Sequence, residues 1–288
     1  MTLEEVLAGA DSFPTLPEVA ERVAHKLKKG DWEVGAVARL IELDPSLSAR
    51  ILRMANSLLL GMATPSRSVR EAIMRLGAQV TRDTVMTVSL MGVLPTLPRP
   101  LDVRSFWTLG LSSALMSRRV AGDLKLGDSE MAYLAGLVHC MGEAYLAVQH
   151  TRGFQRAAKR WQAEGGDLSN QLREEFGCGP REVCAGLLER WRFPEPVVEA
   201  VRWYGDPRSA PNHGDLAGVV SIADRLCRDL GMGLAPAGTP EEVWIEQAPA
   251  HLVERLAEHG YPDLTFYLLE LQDQLVDIET VARQIFAG

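Results

Sequence analysis

The stretch AYLAGLVHCMGEAYLAV, residues Ala132–Val148, decides the fold of this chain. It holds one charged residue, Glu143, although 24% of the whole chain is charged. Its large apolar residues recur at the spacing of one helical face, and small or apolar residues cover most of the remaining surface. This pattern predicts a central core helix over Ser129–Val148, with Glu143 pointing away from the main apolar face. His139 and Cys140 lie in its middle and are the first candidates for a functional site.

The helical periodicity continues through most of the chain, and no segment has the alternating pattern of a strand. Thr2-x-x-Glu5 is a capping box that predicts a short first helix. Asp44-Pro45 combines an N-cap with a proline at the first helical position, and Gly77 is predicted to end a later helix. The sequence therefore predicts an all-α protein.

Composition divides the chain into three parts. The prolines of LPTLPRP, residues 94–100, form a stiff connector that cannot remain helical. We therefore predict an N-terminal helical lobe over residues 1–95 and a second helical lobe over residues 101–230. A glycine-rich linker leads from there into an acidic C-terminal helical extension, residues 240–288.

The extension carries the charge imbalance of the whole chain. It has ten acidic and two basic residues, so residues 1–239 hold 28 of each sign and are neutral, while the net charge is −8. This balance argues against broad electrostatic binding to nucleic acid. The same segment contains a heptad seam that predicts either a helix packed on its own body or a homodimerisation helix. The seam residues are Leu264, Leu268, Leu271, Leu275, Ile278, Ala282 and Ile285.

Cysteine usage and the N-terminus indicate a cytoplasmic protein. The four cysteines form no CxxC pair, so neither a disulfide framework nor a zinc clip is expected. The acidic N-terminus lacks the basic start of a signal peptide, and no uncharged apolar run reaches the length of a membrane span. We expect no membrane partner.

Catalytic patterns are sparse. A metal-dependent phosphohydrolase needs several histidine and aspartate ligands, whereas the apolar segments here offer His139, Cys140 and, in VVSIADRL, Asp224. The alternative is that His139 is a hydrogen-bonded core histidine and Asp224 a buried helix cap or ion-pair partner. The chain has no nucleophile elbow and no glycine-rich phosphate loop. We predict no cofactor and no bound metal.

One basic stripe is a candidate for anion binding. Arg152, Arg156, Lys159 and Arg160 recur on one face of a predicted helix. The stripe is consistent with either a site for an anionic ligand or a solvated helix face.

Several longer runs, in a fixed order, resemble the HDOD (HD-related output domain) proteins of bacterial signalling. The resemblance covers about residues 12–230. The runs are LPEVAERV (Leu16–Val23), LDPSLSARILRMANS (Leu43–Ser57), SVREAIMRLG (Ser68–Gly77), FWTLGLSSALMSRRVA (Phe106–Ala121), AYLAGLVHCMGEAYL, FGCGPREVCAGLLERWRFPEPVVEAV (Phe176–Val201) and VVSIADRL (Val219–Leu226).

The resemblance implies the all-helical fold of HD-type metal phosphohydrolases with a degenerate metal site. The defining His-Asp pair would fall at His139-Cys140, so the aspartate is replaced. Other ligand positions would be occupied by Leu109, Pro180 and the aromatic run after Arg202. His139 and Asp224 would be what remains of the ligand set, and the glycine-tyrosine-proline signature of the cyclic di-GMP phosphodiesterases is absent.

The resemblance further implies a non-enzymatic output module of a response-regulator type. Such a module acts through contacts with signalling proteins or by sensing a small ligand, for which the acidic C-terminal helix and the groove between the lobes are the candidate surfaces. The chain contains no receiver domain, so its regulator would act in trans or belong to a longer protein. Two alternatives stay open: a divergent HD-type phosphohydrolase using His139, Asp224 and Cys140, and a nucleic-acid-binding regulator using the basic stripe.

Overall fold

Helices are the secondary structure of the described part of the chain, as the sequence predicts. The structure is a computed structural model, and it describes residues 1–13, 33–56, 65–94, 96–127, 129–234, 250–261 and 263–271. These ranges contain α-helices and short 3₁₀ turns and no strand. They form two compact units, here called the large unit (Met1–Phe13 and Thr96–Thr280) and the small unit (Pro14–Pro95 and Val281–Gly288).

The small unit contains three described helices around an aliphatic core. Asp44 accepts a hydrogen bond from the backbone N–H of Leu47 at 3.1 Å, which confirms the predicted cap of the second helix. Gly77, at φ 75°, interrupts the third helix at the position where the sequence predicts its end. The run Leu16–Val23 lies outside the described residues. The helices are α2 (Val34–Glu42), α3 (Pro45–Ala55) and α4 (Val69–Val93).

The large unit holds the remaining described helices. The first, α1, begins with the predicted capping box between Thr2 and Glu5. Residues 264–271 are also helical. The helices are α1 (Leu3–Val6), α5 (Val103–Asp123), α6 (Ser129–Val138), α7 (Met141–Gln149), α8 (Thr151–Glu164), α9 (Leu168–Phe176), α10 (Pro180–Arg190), α11 (Glu195–Trp203), α12 (Gly214–Asp229) and α13 (Ala250–Glu258).

Close helix contacts at glycines form the centre of this unit. A Cβ atom at Gly136 of α6 would lie 2.6 Å from the backbone oxygen of Ser113 on α5. A Cβ atom at Gly142 of α7 would collide with the carbonyl oxygen of Pro180 at the start of α10. The absence of side chains at these positions lets α6 and α7 lie directly against their neighbours. The predicted central segment is therefore central, and nearly all of its residues are buried.

The N-terminal residues belong to the large unit, which corrects the predicted lobe of residues 1–95 at its start. The carbonyl oxygen of Val6 accepts hydrogen bonds from the Tyr145 hydroxyl at 3.0 Å and from Nε2 of His150 at 2.8 Å. The ring of Phe13 stacks on Trp191 at 6.1 Å between centroids. These partners are more than 130 positions away in the sequence, so local patterns could not reveal the contact.

The described part of the C-terminal extension also packs on the large unit. Tyr267 donates a hydrogen bond to Asp123 at 3.0 Å, at the end of α5. Leu264, Leu268 and Leu271 of the predicted seam are buried. The other four seam positions lie outside the described residues. The first three positions thus serve intrachain packing.

One segment passes a length and composition test for a membrane span. Residues Ser129–Gln149 have a mean hydropathy of 1.3 over their best window. The segment contains Glu130 and Glu143, so it is not an uncharged run of the kind that the sequence prediction excluded. However, 83% of that window is buried inside the unit, as expected for the core of a helical domain.

Candidate functional site

His139 lies at a break between two helices. The predicted continuous helix Ser129–Val148 is wrong at this point, because α6 ends at Val138 and α7 begins at Met141. Nδ1 of His139 lies 2.7 Å from the carbonyl oxygen of Gly136, three residues earlier. The break places the imidazole inside the large unit, where the residue is 2% exposed.

The structure brings His139 and Asp224 together, although 85 positions separate them. Nε2 of His139 lies 2.8 Å from Oδ1 of Asp224 on α12. With Gly136 on the other side, both ring nitrogens face oxygen acceptors. The imidazole is therefore held between a backbone oxygen and a side-chain oxygen.

Arg228 completes a buried ion-pair cluster that the sequence analysis did not identify. Its Nε donates to Oδ1 of Asp224 at 2.8 Å, and its terminal nitrogen donates to Oε1 of Glu143 at 3.0 Å. Both side chains of the Arg228–Glu143 pair are 8% exposed. The guanidinium therefore bridges two carboxylates from different helices. We call His139, Glu143, Asp224 and Arg228 the buried cluster.

Glu143 points away from the main apolar face of its helix, but it is not solvated. It is buried because Arg228 reaches it from α12. The one sequence signal was the presence of an arginine four residues after Asp224, a spacing that aligns two side chains on one helix face. Nothing in the sequence connects that arginine with Glu143, which is 85 positions away.

The electrostatics of the buried cluster keep its carboxylate and guanidinium charged. Burial acts to raise the pKa of Asp224, but the Arg228 guanidinium and the hydrogen bond with His139 outweigh it and hold that pKa well below its usual range. Burial acts to lower the pKa of Arg228, but Asp224 and Glu143 hold it well above the usual value.

Cys140 and Tyr204 flank the buried cluster in neutral form. Burial, reinforced by Glu143, raises the pKa of the Cys140 thiol well above its usual value. Metals bind the thiolate form of cysteine, so binding at Cys140 would require this buried thiol to lose its proton. The ring of Tyr204, in the aromatic run after Arg202, lies edge-on to His139 at 5.5 Å between centroids.

The basic stripe is partly neutralised by a neighbouring helix. Arg156 donates to Oε1 of Glu175 on α9 at 2.5 Å, and Arg160 donates to Oε2 of the same carboxylate at 2.9 Å. These hydrogen bonds, first that of Arg156, lower the pKa of Glu175. Arg152 and Lys159 are exposed. Two of the four stripe residues therefore already bind a carboxylate, and anion binding by this stripe stays a prediction.

A family model described as the HDOD domain matches residues 13–207, which is more than half of the chain. The chain belongs to the HDOD family. This confirms the resemblance drawn from the sequence runs.

Solved HDOD-like structures share the fold. An HDOD domain protein of unknown function from Geobacter sulfurreducens aligns with a TM-score of 0.83 and 25% identity, covering 98% of this chain and 96% of its own. A presumed phosphohydrolase from Shewanella amazonensis SB2B aligns with a TM-score of 0.72 and 24% identity, covering 97% of each chain. At that identity the second match shows the fold alone.

A sequence relative is longer than this chain. An uncharacterized protein of Treponema pallidum (strain Nichols) is 25% identical over 226 residues, which are 76% of this chain and 43% of the relative. The chain thus spans less than half the length of that relative.

Proposed function

We propose that this HDOD protein is a non-catalytic regulatory module of bacterial signal transduction. The observation that carries the proposal is Arg228, whose guanidinium binds Asp224 and Glu143 at the HD-type position. HD-type catalysis needs a metal there that activates water and binds a phosphate. In this chain the guanidinium of Arg228 is the cation that binds these carboxylates instead.

Displacing that internal cation would be costly. A metal bound to Asp224 would have to separate it from Arg228, which would leave a buried guanidinium without one of its two partners. Breaking a buried ion pair in this way typically costs about 3–5 kcal/mol. Nε2 of His139, the atom free to bind a metal, is directed at the same Asp224 oxygen. Both remaining ligand candidates are therefore engaged with protein groups.

The other ligand positions add no metal donors. Leu109 is a buried aliphatic residue, Pro180 starts α10, and the Cys140 thiol is held neutral by burial. A mononuclear catalytic site usually has three protein ligands besides water. Hence the buried cluster is best explained as a structural replacement of the metal, and signalling through contacts with proteins or a small ligand in the cytoplasm is the function that fits the family.

A hydrolysis assay tests the proposal. Bis(p-nitrophenyl) phosphate and cyclic di-GMP would be incubated with the full chain in the presence of Mn²⁺, Fe²⁺ or Mg²⁺. We expect rates equal to those of the His139→Gln variant, because His139 takes no part in chemistry. Metal-dependent hydrolysis by the wild type that disappears in His139→Gln would identify a divergent phosphohydrolase and overturn the proposal.

A further inference from the structure

A second cluster of metal-ligand side chains lies in the large unit, away from the HD-type position. Glu195 and Glu199 occupy one face of α11 at a spacing of four residues, and His213 directly precedes α12. Their candidate ligand atoms, one from each residue, lie within 4.8 Å of one another. Nε2 of His213 is 2.9 Å from a carboxylate oxygen of Glu195.

The two glutamates lack an internal cation of the kind that the buried cluster contains. Within the described ranges, no lysine or arginine forms an ion pair with Glu195 or Glu199, and the side chain beside the Glu195 carboxylate is the imidazole of His213. Two neighbouring carboxylates repel each other unless a proton or a cation lies between them. Arg228 removes that repulsion in the buried cluster. Among the described residues, no arginine or lysine takes the corresponding place at Glu195 and Glu199, where His213 and Asn212 are the hydrogen-bonding neighbours.

Glu199 is prepared as a ligand by its own hydrogen bonds. It is 8% exposed, and its Oε1 accepts hydrogen bonds from the backbone N–H groups of Asn212 and His213, both at 2.6 Å. These bonds fix the carboxylate in its charged form beside His213. Metal-ligating carboxylates are commonly held by such outer hydrogen bonds, which orient them before the metal arrives.

An open cavity adjoins the cluster. His213 and Asn212 lie on the wall of a concavity of about 980 Å³, together with prolines and polar residues such as Arg208 and Asp215. A metal with three protein ligands keeps at least one position for an outside oxygen ligand. The cavity provides room for such a ligand next to His213.

We propose that Glu195, Glu199 and His213 form a binding site for a divalent transition-metal ion, with Zn²⁺ as the best match. Carboxylate and imidazole donors suit Zn²⁺ and its chemical neighbours better than Ca²⁺ or Mg²⁺, which bind oxygen ligands. In tetrahedral zinc sites the ligand atoms are roughly 3.3 Å apart, as follows from bonds of about 2.0–2.1 Å. To reach that geometry, Nε2 of His213 and the Glu195 oxygen, now 2.9 Å apart, would separate slightly, and the more widely spaced ligand atoms, all within 4.8 Å, would draw together.

The open coordination position adjoining the cavity would accept a small ligand with an oxygen donor. A sensory role for this site rests on the regulatory function proposed above, whereas binding of the ion itself does not. A metal at Glu195, Glu199 and His213 leaves the buried cluster unchanged. The two proposals therefore make separate predictions for variants of His139 and of Glu195.

Calorimetric titration of the full chain with ZnCl₂ in a non-chelating buffer tests the site, with Co²⁺ absorption as an independent reporter of the ligands. We expect one equivalent of Zn²⁺ and four-coordinate cobalt bands. Glu195→Gln should weaken binding at least about tenfold, as expected when a ligand is lost. Because the Glu195 side chain is 68% exposed, this variant should fold normally.

Two controls make the result specific. Glu189→Gln removes another exposed glutamate that forms an ion pair, and it should bind Zn²⁺ like the wild type. His139→Gln should also bind normally. Unchanged affinity in Glu195→Gln and His213→Gln, no binding at all, or a thiolate-to-cobalt charge-transfer band would overturn the metal-site proposal. Loss of the ion in His139→Gln would instead place it at the HD-type position and contradict both proposals.

Discussion

Arg228 makes the two hydrogen bonds on which the proposed replacement of a metal rests. A guanidinium in place of a metal offers five N–H donors in a fixed plane, so it can bind two carboxylates simultaneously. The family resemblance named His139 and Asp224 together as what would remain of a ligand set, and the structure places the two side chains in contact. The sequence analysis missed Arg228 and Glu143 because both appear in sequence as isolated charges, and their pairing depends on how α7 and α12 pack.

Removing the guanidinium should strongly destabilise the protein. We expect Arg228→Met to lower the free energy of unfolding by about 3–5 kcal/mol, because Glu143 and Asp224 would remain buried without their shared cation. Urea denaturation followed by circular dichroism measures this change.

The matched control is Arg173→Met, which removes an arginine that is 50% exposed and pairs with Glu182. Exposed ion pairs contribute at most about 1 kcal/mol, so this variant should unfold close to the wild type. Equal losses in the two variants would show that Arg228 has no special role in the buried cluster.

At the scale of the helices, signals between residues close in the sequence correctly predicted caps and a break, whereas contacts between distant residues could not be predicted. The caps at Thr2 and Asp44 and the break at Gly77 follow from residues within four positions of one another. The break at His139 was missed because apolar periodicity continues across it. Similarly, the glutamate spacing of α11 is visible in the sequence, but His213 approaches it only after an intervening 3₁₀ turn.

Substitution by alanine should have opposite effects on stability at Gly136 and Gly122, because only Gly136 lies at the close contact between α5 and α6. Gly136→Ala should destabilise the protein by about 1–3 kcal/mol, since the added methyl group would press on the backbone of Ser113. Gly122→Ala in α5 meets no atom within 4 Å and should be stabilising by up to about 1 kcal/mol, through better helix propensity. Thermal unfolding measures both variants. A neutral Gly136→Ala would show that the two helices are not in close contact.

For the whole molecule, the ordered sequence runs predicted the family and the all-α fold, because together they span most of the chain, about residues 12–230. They did not show that residues 1–13 join the large unit through Val6 and Phe13. The C-terminal seam is a similar case, since a heptad pattern alone does not distinguish packing on the same chain from packing on a second copy.

Variants of Leu268 and Leu269 distinguish packing of the seam on the same chain from packing on a second copy. Leu268 is 4% exposed and Leu269 is 58% exposed. We expect Leu268→Ala to lower the free energy of unfolding by about 2–5 kcal/mol and Leu269→Ala to have little effect, because only the first side chain leaves a cavity. Denaturation and analytical ultracentrifugation would be run on both. If Leu268→Ala dissociates a dimer without loss of stability of the chain, this part of the seam is an intermolecular interface.

The most direct test of the central claim is an anomalous difference map from a crystal of this protein soaked in Mn²⁺ or Zn²⁺. The claim is that Arg228 occupies the role of the metal at the HD-type position. We predict no anomalous peak between His139 and Asp224, with the Arg228 guanidinium still bound to Asp224 and Glu143. A peak within about 2.0–2.2 Å of Nε2 of His139 and of an Asp224 oxygen, with Arg228 displaced, would contradict the claim.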